Sequence, residues 1–146
     1  MADLPSSARA VIVGGGIMGS ALAHHLALQG WRDLVLVDQG PFPNTGGSTG
    51  HSSAMVWLPE ASRVLTASTQ DSVRQYQELG VFTRSGGIEV ARTPERVEEL
   101  KRRLASARSW GVEAELLTPA QVKELVPYVA EDVILGGFHA PTGVGQ

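Results

Sequence analysis

The sequence predicts an α/β protein in two parts: a strand–helix–strand unit within residues 1–60 and part of an α+β domain over residues 61–146. Three observations predict this organisation. A glycine-rich turn separates two short apolar runs near the N-terminus, a carboxylate ends the second run, and the later apolar runs alternate with polar residues or lie beside glycine pairs. Continuous apolar runs are typical of buried parallel strands, whereas alternating runs are typical of antiparallel strands.

The first apolar segments define the strand–helix–strand unit. The run AVIV at 10–13 predicts a strand, and the sequence GGGIMG follows it directly. Apolar residues then recur at helical spacing over 17–29, and Gly30 is predicted to end the helix. A second run, LVLV at 34–37, predicts a parallel strand that ends at Asp38. This order of elements is that of a Rossmann-like dinucleotide-binding unit.

Each glycine of the turn has a physical role if a dinucleotide binds there. Gly14 permits the tight turn out of the strand, Gly16 lets the backbone approach a pyrophosphate, and Gly19 lets the helix pack close to the strands. The backbone N–H groups at the helix start, at Ile17 and Met18, face the anion, and the helix dipole adds to the attraction. The surrounding strand, helix and carboxylate favour this interpretation over a purely structural glycine turn.

Asp38 and its neighbour Gln39 lie where such a unit binds the ribose. Asp38 comes about 20 residues after Gly19, a separation at which a carboxylate accepts hydrogen bonds from a ribose 2′-OH. A carboxylate disfavours a 2′-phosphate, so NADP is the least favoured ligand. The motif by itself leaves both FAD and NAD open.

A segment rich in Gly, Pro, Ser and Thr follows at 39–53 and predicts no regular element over most of its length. Its centre, Gly47, Ser48, Thr49 and Gly50, offers backbone N–H groups and two hydroxyls that suit phosphate groups. Long loops inside a compact domain are often functional. The position directly after the ribose-binding carboxylate favours a cofactor contact over the alternative, a flexible surface linker.

The second part predicts alternating helices and strands. We expect helices at 61–79, from a cap at Thr93 to Gly111, and from a capping box at Thr118 to Val126, with extended segments at 88–91, 113–117 and 133–140. We expect the apolar residues of the first helix, Val64, Leu65, Val73, Tyr76 and Leu79, to contribute to the core. No closing element is expected after residue 140.

Composition limits the possible functions. The chain has 146 residues, a hydrophobic share of 42% and a net charge of -3, as expected for a soluble globular protein. The largest basic cluster, 101–103, lies near acidic residues on a predicted helix, so we expect neither nucleic acid nor a membrane as a partner. There are no cysteines, and the four histidines lack metal-ligand spacing, so no metal site is expected. The N-terminus lacks an apolar leader, which predicts a cytoplasmic protein.

These features, in this order, resemble the N-terminal third of the FAD-dependent oxidoreductases of the D-amino-acid oxidase type. The branch that contains dimethylglycine oxidase, dimethylglycine dehydrogenase and sarcosine dehydrogenase is the most similar. The stretches that carry the resemblance are VIVGGGIMGS at 11–20, LVDQGP at 36–41, GGSTGHSSA at 46–54, GGIEVA at 86–91, WGVE at 110–113 and LGGFHAP at 135–141. The stretch at 46–54 is the most discriminating.

The resemblance implies bound FAD and, for the complete enzyme, oxidation of a secondary or tertiary amine such as an N-methylglycine by hydride transfer to the flavin. It also implies that residues 1–60 are the N-terminal part of an FAD-binding domain and that residues 61–146 contain a connecting helix and the start of a substrate domain. In this branch a histidine of the discriminating stretch carries the flavin covalently through its 8α methyl group, and the matching residue is His51. Sequence chemistry alone leaves the alternative of an ordinary loop histidine. The family's substrate-holding residues come mainly from later segments, so we assign no catalytic residue and expect this chain alone to be inactive.

Two other functions remain open at this point. One is a non-catalytic nucleotide-binding polypeptide, such as a subunit that needs a complementing chain to complete its fold. The other is a fragment of an NAD-binding dehydrogenase, which the loop around His51 argues against. The amine that is oxidised and the electron acceptor are not determined by the sequence.

Overall fold

The computed structural model describes residues 5–43, 46–142 and 144–145. The chain forms two compact units, Met1–Ser53 and Ala54–Gln146. Both units contain strands and helices, which confirms the mixed α/β class predicted from the sequence. The boundary expected between a cofactor-binding part and a substrate part stays a prediction.

The first unit contains two parallel strands and one long helix. In chain order its elements are β1 (Ala10–Val13), α1 (Ile17–Leu28), β2 (Leu34–Val37) and a single 3-10 turn (Ser48–His51). Ala10 of β1 pairs with Leu34 of β2, and Val13 pairs with Val37. The strand–helix–strand order predicted from the sequence is therefore present, with Gly30 at φ +82° directly after the helix cap.

The second unit is built on a three-stranded antiparallel sheet. Its elements are β3 (Val56–Trp57), α2 (Arg63–Glu78), β4 (Gly87–Ala91), α3 (Pro94–Ser109), β5 (Glu115–Leu117), α4 (Pro119–Leu125), a 3-10 turn (Glu131–Val133), β6 (Gly136–Ala140) and β7 (Val144–Gly145). The central strand β6 pairs with β4 on one side and β5 on the other. Antiparallel pairing of β4 and β6 confirms the interpretation of these runs. Within the described residues, no helix is long and apolar enough to cross a bilayer.

The three α-helices described in the second unit each start after a residue whose side chain caps the helix N-terminus. Ser62, Thr93 and Thr118 each accept a hydrogen bond from the backbone N–H three residues later. Thr118 also forms a capping box with Gln121. Such caps satisfy N–H groups that have no partner inside the helix. The caps at Thr93 and Thr118 are the ones that the sequence predicts.

The core of the second unit forms around β6. Phe138 is fully buried among apolar side chains of α3, which include Leu100 and Ala107. The ring of Trp57 lies 6.5 Å from that of Phe138, measured between centroids. A smaller cluster is formed by Leu117, Val122 and Ile134. The helix α3 therefore packs on the sheet through a stripe of apolar residues.

Two expectations for the second unit are wrong. On α2 and its cap, Val64, Leu65 and Leu79 are 75%, 52% and 59% exposed, whereas Thr66 and Val73 are buried. The reason is that the buried face of α2 includes Thr66, a small polar residue, so that the positions of the apolar residues do not identify this face. The second wrong expectation is that no element closes the chain after residue 140. The strand β7 lies there and pairs with β3.

The first unit buries few apolar side chains. Among its described residues, Ile12 is the one buried apolar side chain, at 6% exposure. Val13 and Met18 are 83% and 82% exposed. Ala23 and Leu26 of α1 are half-buried. The two strands and the helix of this unit thus leave most of their apolar surface uncovered by described residues.

Candidate functional site

The glycine turn joins β1 to α1 and is fixed to the end of β2. Gly14 adopts φ +105°, a backbone conformation that favours glycine. Its N–H donates to the carbonyl of Val37 at 2.7 Å. A Cβ atom on Gly14 would meet no atom within 4 Å. The backbone is therefore held in place while the space beside Gly14 stays open.

Gly19 sets the distance between α1 and the turn. A Cβ atom on Gly19 would lie 1.8 Å from the carbonyl oxygen of Gly14 and 3.3 Å from Cγ2 of Ile12. Protein interiors are close-packed and leave no room for a methyl group at that distance. The geometry agrees with the packing role predicted for this glycine.

The start of α1 offers backbone donors. The N–H of Ile17 donates to Oγ1 of Thr49 at 2.9 Å. The N–H groups of Met18 and Gly19 have no acceptor among the residues that the structure describes. Such N–H groups carry the partial positive charge of the helix dipole and can bind phosphate oxygens.

Asp38 connects the end of β2 to the glycine turn. Its Oδ2 accepts from the N–H of Gly15 at 2.6 Å, and its Oδ1 accepts from the N–H of Gly40 at 2.9 Å. The hydrogen bond from Gly15 and then that from Gly40 hold the pKa of Asp38 below its ordinary value. A carboxylate has about four lone-pair sites, so the ionised group keeps acceptor capacity for ribose hydroxyls.

The 3-10 turn at Ser48–His51 carries the histidine of interest. The carbonyl of Gly47 accepts from the N–H of Gly50 at 3.2 Å and contacts Nδ1 of His51 at 3.0 Å. Because a carbonyl can only accept, Nδ1 carries the proton in this contact. In the neutral ring, Nε2 then holds the free lone pair. The imidazole is exposed, so this nitrogen is accessible.

Short contacts of the glycine turn connect Gly14, Gly16, Gly19, Asp38 and Thr49 in one network. The other predicted contacts, at Gln39, Gly47, Ser48 and Gly50, fall on exposed residues and stay predictions. His51 lies in the same unit, and its Nδ1 contacts the carbonyl of Gly47.

Two further contributors were missed by sequence reasoning. Gly15 supplies the N–H that binds Asp38, and a Cβ atom on it would lie 2.1 Å from the Phe42 ring. The hydroxyl of Ser20 donates to the carbonyl of Gly15 at 3.2 Å. The run of three consecutive glycines is the one sequence signal that indicates a close approach here, whereas nothing in the local pattern points to Phe42.

The other histidines lie outside this network. His24 and His25 are exposed on α1, with ring centroids 5.4 Å apart. Nδ1 of His139 lies 3.0 Å from Oε1 of Glu115 on the neighbouring strand β5. The described residues contain no group of three or more histidine, cysteine or acidic side chains that could hold a metal ion.

A family model described as "FAD dependent oxidoreductase" matches residues 9–146 of the chain. The chain belongs to the FAD-dependent oxidoreductase family. Membership confirms the resemblance and the implied cofactor, FAD, and it disfavours NAD as the ligand.

Several relatives in this family are similar over nearly all of the chain. Dimethylglycine dehydrogenase of Rattus norvegicus is 34% identical over 141 residues, which cover 92% of this chain. Sarcosine dehydrogenase of Homo sapiens is 33% identical over 146 residues, and the pyruvate dehydrogenase phosphatase regulatory subunit of Mus musculus is 34% identical over 145 residues; each alignment covers 94% of this chain. The chain spans 16% of the length of each of these three relatives.

The fold is shared with a solved structure. L-proline dehydrogenase from P. horikoshii superposes with a TM-score of 0.88 at 24% identity, over 97% of this chain and 38% of that protein. This likeness shows that the arrangement of strands and helices described above is a known one.

The residues of the first unit fit FAD. The open space beside Gly14 and the N–H groups of Met18 and Gly19 suit a pyrophosphate. Asp38 is ionised and retains acceptor capacity for ribose hydroxyls. The second unit has no such combination of glycine turn, helix start and carboxylate among its described residues.

Proposed function

We propose that this chain is the FAD-binding N-terminal portion of an oxidoreductase that acts on a secondary or tertiary amine, such as an N-methylglycine. The family match over residues 9–146 carries the proposal. The substrate class is supported by two relatives whose names specify dimethylglycine and sarcosine. A third relative is named 4-methylaminobutanoate oxidase, from Paenarthrobacter nicotinovorans, and it is 32% identical over 145 residues.

When bound, FAD supplies the acceptor for a hydride equivalent from the carbon next to the amine nitrogen. The residues of this chain bind and orient the cofactor. The N–H groups of Met18 and Gly19 hold the pyrophosphate, and Asp38 accepts hydrogen bonds from a ribose. Gln39 and the loop at 46–53 complete the contacts.

His51 is the proposed site of covalent attachment. Its Nδ1–H donates to the carbonyl of Gly47, which leaves the lone pair on Nε2 as the nucleophile. With FAD bound, Nε2 of His51 would replace one hydrogen of the 8α methyl group and Nδ1 would lose its proton, so that two protons and two electrons pass to dioxygen and give hydrogen peroxide.

Turnover requires more protein than this chain. The relatives are about six times as long, since the chain spans 16% of each. The exposed apolar side chains Val11, Val13, Met18 and Leu22 support the view that further protein covers β1 and α1. We therefore assign cofactor binding to this chain and assign no catalytic residue.

The proposal is tested by incubating the purified chain with FAD, removing free flavin and precipitating the protein with acid. A yellow pellet is expected for the wild-type chain and for His24→Ala, which removes an exposed histidine from α1. A colourless pellet with FAD in the supernatant is expected for His51→Ala. Wild-type protein that is soluble but retains no FAD would overturn the proposal for this chain. Wild-type protein that binds FAD but releases all of it on acid precipitation would reject the covalent link and leave FAD binding in place.

A second candidate function is that of a non-catalytic, nucleotide-binding subunit. It is favoured by the similarity to a relative named as a regulatory subunit, at 34% identity. The two functions differ when the FAD-loaded chain is mixed with a chain that supplies the remainder of dimethylglycine dehydrogenase. Bleaching of the flavin by dimethylglycine under anaerobic conditions supports the oxidoreductase. A stable complex whose flavin ignores the amine supports the subunit.

A further inference from the structure

The helix α1 receives its N-terminal cap from a distant segment. The N-cap position is occupied by Gly16, which has no side chain to accept a hydrogen bond. Oγ1 of Thr49, 32 residues away in the chain from Ile17, accepts from the N–H of Ile17 at 2.9 Å. A hydroxyl that accepts from the first turn is what a local Ser or Thr cap would provide. The loop is thereby attached to the start of the helix.

The 3-10 turn that contains Thr49 is internally bonded. The carbonyl of Gly47 accepts from Gly50 N–H and from Nδ1–H of His51. The N–H of Ser52 donates to the carbonyl of Thr49 at 3.3 Å. The imidazole of His51 is therefore bonded to a turn that Thr49 connects to α1.

We propose that Thr49 is the positioning residue for His51, and this inference rests on the proposed function. The hydrogen bond to Ile17 fixes the turn relative to the helix start, where the pyrophosphate is proposed to bind. Since the imidazole is bonded to the same turn, Thr49 sets the place of Nε2 relative to the cofactor site. Thr49 acts through His51 and the backbone rather than on the reacting atoms.

The position of Gly16 follows from the same contact. A Cβ atom on Gly16 would lie 2.9 Å from Oγ1 of Thr49 and 3.9 Å from its Cβ. A side chain at residue 16 would therefore push the hydroxyl away from Ile17. The hydrogen bond between Ile17 and Thr49 therefore favours glycine at this position, in addition to any requirement from the pyrophosphate.

The first test needs no cofactor. Amide hydrogen exchange of Ile17 and the backbone order parameter of His51 are measured by NMR in the 146-residue chain. Thr49→Val should speed exchange at Ile17 by roughly fivefold or more and lower the His51 order parameter from ~0.85 toward ~0.6. Thr49→Ser should restore both values, and Ser48→Ala, the matched control at the neighbouring hydroxyl, should change neither. Unchanged values in Thr49→Val would overturn the inference.

The second test uses the FAD-loaded chain. The measured quantity is the fraction of bound flavin that survives acid precipitation. Thr49→Val should lower this fraction by roughly fivefold or more while total bound FAD falls much less, and Thr49→Ser should recover it. An equal loss of total and covalent flavin would assign Thr49 to cofactor binding and reject the positioning role. A wild-type chain without FAD contradicts the proposed function, and the exchange and order-parameter measurements then decide the role of Thr49.

A double variant isolates the contact between Gly16 and Thr49. Gly16→Ala alone should abolish the protection of the Ile17 amide, because the added methyl group displaces the hydroxyl. In a Thr49→Ala background the same change should cause no further loss. Losses that add in the double variant would show that residue 16 acts independently of Thr49 and would contradict the inference.

Discussion

The two units differ in what their residues do. Among the described residues, the first unit has one buried apolar side chain, Ile12, whereas the second has twelve. The first unit instead contains the glycine turn, the ionised Asp38 and the anchored loop with His51. The second holds a core around Phe138 and helices with regular caps.

In this chain, the features of a cofactor site and those of a stable core therefore lie on different residues. Site features in the first unit are backbone N–H groups, a carboxylate and missing Cβ atoms, none of which buries apolar area. Apolar burial is the main favourable term in folding. We therefore expect the second unit to provide most of the stability of this chain, and the first to gain stability from its ligand.

The largest effect is expected at the centre of the second core. Phe138→Ala should lower the free energy of unfolding by about 3–5 kcal/mol, because it deletes a fully buried ring and leaves a cavity. Urea denaturation followed by circular dichroism measures the loss. The matched control is Tyr128→Ala, since Tyr128 is an aromatic residue of the same unit that is 90% exposed.

The control should change stability by no more than about 0.5 kcal/mol. If Phe138→Ala and Tyr128→Ala had similar effects, the contrast between a core-bearing and a site-bearing unit would fail.

A smaller effect, confined to the first unit, is expected at Gly19. An alanine in a helix interior normally gains about 0.5–1 kcal/mol over glycine. Here the added methyl group would lie 1.8 Å from the carbonyl oxygen of Gly14, so α1 must move away from the turn. We expect Gly19→Ala to cost about 1–3 kcal/mol of local stability despite the better helix propensity. Hydrogen exchange of the α1 amides measures it.

The sign of that change decides between propensity and packing. Met18→Ala, at an adjacent side chain that is 82% exposed, should leave α1 exchange nearly unchanged. Slower exchange in Gly19→Ala than in the wild-type chain would mean that the helix does not pack against the turn.

Local patterns predicted most of the fold. The strands β1 and β2, the helix α1 and the caps at Thr93 and Thr118 follow from apolar runs, glycines and cap residues that act within a few positions. The candidate site was predicted for the same reason, since its glycines and Asp38 occur at fixed spacing in one strand–helix–strand unit.

Contacts between distant positions were not predictable in this way. The bond between Thr49 and Ile17 and the pairing of β7 with β3 join segments whose local sequences give no sign of each other. The exposed Val64 on α2 shows the same limit, because an apolar residue at helical spacing does not specify which face of the helix another element covers.

The smallest effect that we expect is the pH dependence due to Asp38. It should be confined to the first unit, where Asp38 binds the glycine turn. Hydrogen bonds from Gly15 and Gly40 lower the pKa of Asp38 below its ordinary value. A carboxyl group with a depressed pKa in the folded state contributes stability above its unfolded pKa, and this contribution is lost as pH falls through the folded value. Below about pH 4 we therefore expect the amides of Gly15 and Gly40 to lose exchange protection, and Asp38→Asn to remove this pH dependence. Protection in the wild-type chain that stays constant down to pH 2 would show that Asp38 does not hold the turn in its charged form.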